Sequence, residues 1–274
     1  MNTEQKKGWA LVTGASAGIG EEFCNQLAAL SWPVVLVARR KDRLNLLADR
    51  LAKEHGVECR CYPFDLALPD AIEKLCAALD TDAIEIEFLV NNAGYGVAGT
   101  FTEPSWQTHA DSLRVMLGSV CELTWRLLPG MQRRRRGFVV NVASLAGLVS
   151  GSARHTLYGA TKAFLIRFSE SLAMENLDTG VSVSALCPGF TYSEFHDVLG
   201  NREMTSEMSS YMWMNADEVV RFAIVSVMKQ APLVVAVPGR VNRFIATLVR
   251  LMPRKMALAF IQRHSKGYRA EDGH

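Results

Sequence analysis

Apolar residues along the chain come in two alternating rhythms. The run Trp9 to Val12 meets a glycine-rich turn, and from Ile19 onward Phe23, Leu27 and Leu30 fall at helical spacing. Trp32-Pro33 breaks that helix, and Val34-Val35-Leu36-Val37 follows without alternation, as expected of a parallel strand covered on both faces. Leu44, Leu47 and Leu51 return to the helical period. The exchange continues with strands at Val57 to Tyr62, Phe88 to Asn91, Phe138 to Val142, Val181 to Leu186 and Leu233 to Val237. Between them lie helices at Ala71 to Leu79, Trp106 to Leu127, Tyr158 to Leu177 and Ala216 to Lys229. Parallel strands need helical crossovers, so the order predicts an α/β fold: a doubly wound parallel sheet of seven strands.

No repeat or Pro/Ser-rich linker divides this pattern, which makes residues 1–239 one domain. Two segments stand apart. Residues 190–215 carry Met204, Met208, Met212 and Met214, which suits an apolar substrate lid and equally a surface helix packed on the body. Residues 240–274 form a basic amphipathic extension with Phe244, Ile245, Leu248, Val249 and Met252 on one stripe. It could cover the core, pack on a subunit or lie on a membrane surface, the first two being favoured.

Composition narrows the setting. Of the 274 residues 49% are hydrophobic and 21% charged, the balance of a soluble globular chain. No apolar run is long enough to span a bilayer, and the polar start to Lys7 is unlike a secretory signal. The six cysteines include no CxxC pair, so a reducing cytoplasm is expected. Net charge is only +2, and the run Arg133 to Arg136 is read as a solvated connection, so no nucleic-acid partner is expected. The histidines show no ligand spacing, and no metal is expected.

Candidate chemistry begins at Thr13-Gly14-Ala15-Ser16-Ala17-Gly18-Ile19-Gly20, between the first strand and the first helix. Glycines there let the backbone approach a pyrophosphate, whose charge is held by free N–H groups at the helix's positive end. Further on, Tyr158 and Lys162 lie four apart and so leave one helical face a turn apart. A phenol titrates near pH 10; a neighbouring ammonium and a bound cationic ring would lower it into the range of a useful acid or base. Ser144 follows a strand fourteen residues before Tyr158, where its hydroxyl can bond a substrate oxygen as charge develops.

With Asn91-Asn92-Ala93-Gly94, Ser144, Tyr158-Gly159-Ala160-Thr161-Lys162 and Cys187-Pro188-Gly189 in register, the sequence resembles the short-chain dehydrogenase/reductase family from about Leu11 to Val237. The resemblance implies a Rossmann-type fold and an enzyme that moves hydride between a nicotinamide and a carbonyl or secondary alcohol. Ser144, Tyr158 and Lys162 would be catalytic. Cofactor contacts are implied for Gly14, Ser16, Gly18, Ile19, Gly20, Asp65, Asn91, Ala93, Gly94, Tyr158, Lys162, Pro188, Gly189, Thr191 and Ser193. Arg39 stands where NAD-preferring relatives carry Asp, and its planar donor fork, with Arg40, favours NADP(H). The aromatic and Met-rich segment suggests an apolar ketone substrate, and pairing helices of relatives imply a homodimer or homotetramer. One departure stands out: Met116 takes the place of a middle-helix Asn, which raises the alternative of a nucleotide-binding sensor or scaffold with weak turnover.

Overall fold

A computed structural model describes residues 7–192 and 213–264. Seven parallel strands form one sheet: β1 (Trp9–Thr13), β2 (Val34–Ala38), β3 (Cys59–Pro63), β4 (Ile86–Asn91), β5 (Gly137–Val142), β6 (Val181–Leu186) and β9 (Val235–Ala236). Their order is β3-β2-β1-β4-β5-β6-β9. The chain runs outward from β1 through β2 and β3, then crosses back to place β4 on the other side of β1. That reversal opens a crevice beyond the carboxyl ends of β1 and β4, the usual ligand position in such sheets.

The unalternating strands work because both faces are covered. Ala10 and Val12 of β1 point into one core with Phe23 and Leu27 of α1 (Gly18–Ala29) and Leu44, Leu47 and Leu51 of α2 (Lys41–His55). Leu11, between them, points to the other core, with Leu75 and Leu79 of α3 (Ala71–Thr81) and Leu123 and Met131 of α5 (Ser119–Arg134). Edge-on packing of Trp32 on Phe88 and Phe138, with centroids 5.6 and 6.3 Å apart, closes the first core.

Several boundaries differ from the sequence expectation. Leu30 is exposed, because Ser31 turns left-handed at φ 61° and ends the helix before Leu30 can reach the core. The third strand starts later, at Cys59, and the last shrinks to Val235–Ala236. The expected single helix from Trp106 to Leu127 is α4 (Trp106–Leu113), a π-helical turn over Arg114–Gly118, and α5 continuing to Arg134. Arg133, Arg134 and Arg135 are exposed, as the solvated reading has it, but only Arg135 and Arg136 form the connection. Arg133 and Arg134 occupy the last turn of α5, where cations oppose the helix dipole. Arg134 donates to Ile86 O at 2.7 Å, Arg135 to Asp178 O at 2.8 Å, and Arg136 pairs with the buried Glu87 at 2.7 Å. The run clamps the amino-terminal edge of the sheet.

Beyond β6, β7 (Phe190–Thr191) pairs in parallel with β8 (Trp213–Met214), and the rest of the expected lid lies outside the described residues. α7 (Ala216–Val227) packs on α1, and α8 (Arg240–Leu251) and α9 (Arg254–His264) end the described chain. The stripe expected in α8 is divided: Val249 is buried, whereas Phe244 and Leu248 are exposed.

Candidate active site

The glycine-rich turn is built without side chains where a ligand backbone would come close. Gly14 sits at φ 67°, and a Cβ on Gly20 would stand 2.2 Å from Gly14 O. α1 opens on Ala17 with no side-chain cap, leaving its first N–H groups free to hold an anion. At the rim, Arg40 donates to Ser16 Oγ at 3.1 Å, so two of the expected phosphate contacts lie together, and the exposed Arg39 follows β2. Tyr95 lies within electrostatic reach of Asp111, Arg39 and Asp65. Asp65 Oδ1 accepts from Ala67 N–H at 3.0 Å.

Thr13 and Asn92 lock this turn to the end of β4. Thr13 Oγ1 accepts from the N–H groups of Asn92 and Ala93 at 2.9 and 3.0 Å, and Asn92 Nδ2 donates to Thr13 O at 2.9 Å. Both residues stand inside the motifs, yet nothing in the sequence spacing marks either as a tether. Asn91 faces the interior instead. Its amide donates to Asn141 Oδ1 at 2.8 Å and Thr124 Oγ1 at 3.1 Å, and Asn141 donates on to Ser169 Oγ at 2.9 Å. The side chain of Asn91 steadies β4, β5 and α6 (Thr156–Glu175) from within.

Ser144 leaves β5 just ahead of a short 3-10 turn, Leu145–Gly147, with its Oγ accepting from Ala146 N–H at 3.1 Å. Leu145 N–H donates to Pro188 O at 2.8 Å, joining this loop to the one after β6. On α6, Tyr158 and Lys162 share a face, and the Lys162 Nζ lies 5.6 Å from the Tyr158 ring centroid. Burial raises Tyr158, and a hydrogen bond shared with Ser144 works the other way. The expected lowering called for the cationic ring of an oxidised nicotinamide as well as the ammonium; in the chain by itself burial is the larger influence on the phenol. Lys162 is also desolvated: its Nζ donates to Val142 O at 2.7 Å, and burial lowers it to about 8. Cys187, close enough to feel that ammonium, is pushed by burial up to about 12 and stays a thiol.

Met116 lies in the π-helical turn, against the space that a Cβ on Gly94 would enter at 3.2 Å; the same position is 3.8 Å from Lys162 Nζ. Thr161, one residue before Lys162, points its hydroxyl to Tyr158 O at 2.8 Å. A pocket beside Tyr158 is lined by Val97, Phe101, His109, Met116 and Leu157. On the far side Gly189 packs against Asn242, and Thr191, buried, donates to Gly189 O at 3.1 Å. Ser193 lies outside the described residues. Ser144, Tyr158 and Lys162 thus meet at the carboxyl edge of the sheet, with the glycine cradle on the other side of Gly94.

A family model described as short chain dehydrogenase matches residues 8–204. A 7beta-hydroxysteroid dehydrogenase of Collinsella aerofaciens is 33% identical over 192 residues, covering 70% of this chain and 72% of that protein. The very-long-chain 3-oxoacyl-CoA reductase of Mus musculus is 30% identical over 265 residues, covering 95% and 80%. Among solved structures, a short-chain dehydrogenase from Sphingobium yanoikuyae in complex with NADPH superposes with a TM-score of 0.78 at 30% identity, covering 92% of this chain and 96% of that one.

Proposed function

The chain belongs to the short-chain dehydrogenase family, and from that membership we propose that it interconverts a bulky apolar ketone and its secondary alcohol with NADP(H), Tyr158 being the proton donor and acceptor. It is an oxidoreductase acting on CH–OH and C=O groups, and its family binds a nicotinamide cofactor. When bound, that cofactor supplies or takes the hydride. The residues fit it: a cradle that a Cβ on Gly20 would fill, and a helix start without a cap.

The single observation carrying the reading is the convergence of Ser144, Tyr158 and Lys162 at one edge. Ser144 holds the substrate oxygen and orients the phenol. Lys162 keeps a cation beneath the ring, so a proton leaving the Tyr158 oxygen leaves an anion next to positive charge. Arg40 and Ser16 at the rim, with Arg39 beside them, suit an adenosine 2′-phosphate better than a bare ribose. The apolar side of the pocket, Val97, Phe101, Met116 and Leu157, supports an apolar ketone, in keeping with relatives named for hydroxysteroids and very long acyl chains. Exposed Trp125 of α5 and Met174 of α6 support pairing of two copies through those helices.

A second reading is favoured by Met116 alone: a nucleotide-binding protein with little turnover, since a thioether beside Gly94 offers no donor near Lys162. One assay separates the two. Purified protein with NADPH and a panel of bulky ketones is followed by absorbance loss, against Tyr158→Phe. The enzyme reading expects turnover that falls about 100-fold or more in the variant. Equal rates in parent and variant refute Tyr158 as the donor; tight NADPH binding with no turnover on any ketone selects the second reading.

A further inference from the structure

Three faces can be read around α8. One is anchored: Asn242 and Val249 are buried, Asn242 Nδ2 donates to Pro238 O at 3.0 Å, and its side chain fills the space that a Cβ on Gly189 would enter at 2.5 Å. A second is apolar and open. Val241, Phe244, Leu248 and Leu251 follow at spacings of three, four and three, within an arc of about 80°. Phe244 is 67% exposed and Leu251 78%, and α9 continues the open apolar surface with Met256 at 60% and Leu258 at 44%. The third face is cationic. Arg240 borders the open stripe, Arg243 and Arg250 lie further round on that same side, and Arg254 and Lys255 start α9, all exposed. Residues 240–264 hold six Lys and Arg and no Asp or Glu.

We propose that α8 and the first turns of α9 are a docking face for an anionic lipid surface, with the open stripe in the acyl boundary and the arginines at the headgroups. A helix with an apolar stripe edged by cations is suited to that plane. No helix among the described residues is long and apolar enough to cross a membrane, so the contact is interfacial. Charge decides against a second copy. A two-fold contact sets a patch against itself, bringing five exposed cations of this face against the same five with no acid on either helix to relieve them. A negatively charged lipid surface neutralises the cations and covers the apolar stripe together. The anchor at Gly189 ties the docking face to the loop after β6, at the carboxyl edge of the sheet.

The test is cosedimentation of the full chain with vesicles of phosphatidylcholine alone or with about one-third phosphatidylglycerol, and it requires no turnover. Binding is expected to the anionic vesicles only and to be lost in high salt. Arg250→Gln with Arg254→Gln should weaken it about 25-fold, at about fivefold per cation. Phe244→Ser with Leu251→Ser should weaken it at least about tenfold. All four side chains are exposed, so unchanged thermal melts are expected to show that the variants fold. Failure to bind anionic vesicles, or binding that neither pair of substitutions reduces, overturns the proposal. So does a drop in solution mass on Phe244→Ser with Leu251→Ser, which would assign the stripe to another copy.

Discussion

Lys162 is a cation that the fold holds at a cost. Burial lowers it from 10.5 to about 8, so in the folded chain its proton is bound less tightly than in the unfolded one. Below about pH 8 both states carry the charge, and the folded state bears the full penalty, about 3 kcal/mol at about 1.4 kcal/mol per pH unit. Between about 8 and 10.5 the folded protein has released the proton while the unfolded chain still binds it, so stability rises with pH through that window. Above it the penalty is gone. Replacing Lys162 by Met removes the titration and forfeits the hydrogen bond to Val142 O, a loss of about 1 to 3 kcal/mol at every pH. The expectation concerns the difference between the two proteins. Relative to the parent, Lys162→Met should lose about 3 kcal/mol between pH 7 and pH 10.5, while catalysis is lost throughout. Urea unfolding of cofactor-free protein at a series of pH values measures this. Other titrating groups are common to both chains and cancel, and Cys187, held up to about 12, stays neutral across the window. A difference that stays flat with pH would show that Lys162 ionises as freely folded as unfolded, and would refute the desolvated site.

The remaining expectations follow from single contacts. Gly20→Ala places a Cβ 2.2 Å from Gly14 O, so dinucleotide binding by calorimetry should fall at least about tenfold with a stability loss of about 1 to 3 kcal/mol; unchanged affinity would remove the cradle from the site. Asn91→Leu deprives Asn141 and Thr124 of their buried donor and should cost about 2 to 4 kcal/mol in chemical denaturation. A loss below about 1 kcal/mol would mean that the interior ladder does not hold β4 and β5. Glu87→Gln leaves Arg136 without its carboxylate partner and should cost about 1 to 3 kcal/mol without altering turnover, since it lies at the opposite edge from Tyr158. Arg39→Asp should raise the KM for NADPH more than that for NADH, and an unchanged ratio would set aside the phosphate reading.

What could be read in advance was what parallel strands impose on a sequence. Strands such as Val34–Ala38 must be apolar on both faces, and their helices must return at the helical period, so the parallel sheet and its seven strands were legible. Tyr158 and Lys162 were legible because four residues on a helix is itself a geometry. The π-helical turn was not, because an added residue in a helical turn leaves no mark in the spacing of Val115 and Met116. Arg133 to Arg136 read as a loop because charge was weighed without the partners, Glu87 and the carbonyls of Ile86 and Asp178, which come from distant positions. Asn242 carried no signal at all. Its burial depends on Gly189 having no side chain, a match between residues far apart in the chain.

Three irregular features meet at one pocket. The π-helical turn with Met116, the left-handed Arg154 at φ 64° and His109, whose Nδ1 is buried without a hydrogen-bond partner among the described residues, all line the pocket beside Tyr158. The left-handed residues Ser31 and Ala83 do plainer work, ending α1 ahead of β2 and α3 ahead of β4. Backbone strain and an unsatisfied nitrogen at a turn would serve nothing; beside a reacting centre a bound substrate can recover them by supplying the missing contact. On the nucleotide side Thr13, Asn92 and Ala93 are joined by hydrogen bonds of 2.9 to 3.0 Å, while the uncapped start of α1 keeps its first N–H groups open. On the proposed reading, both sides thus hold polar groups that a ligand would satisfy: backbone N–H groups for an anion, and His109 Nδ1 beside Tyr158.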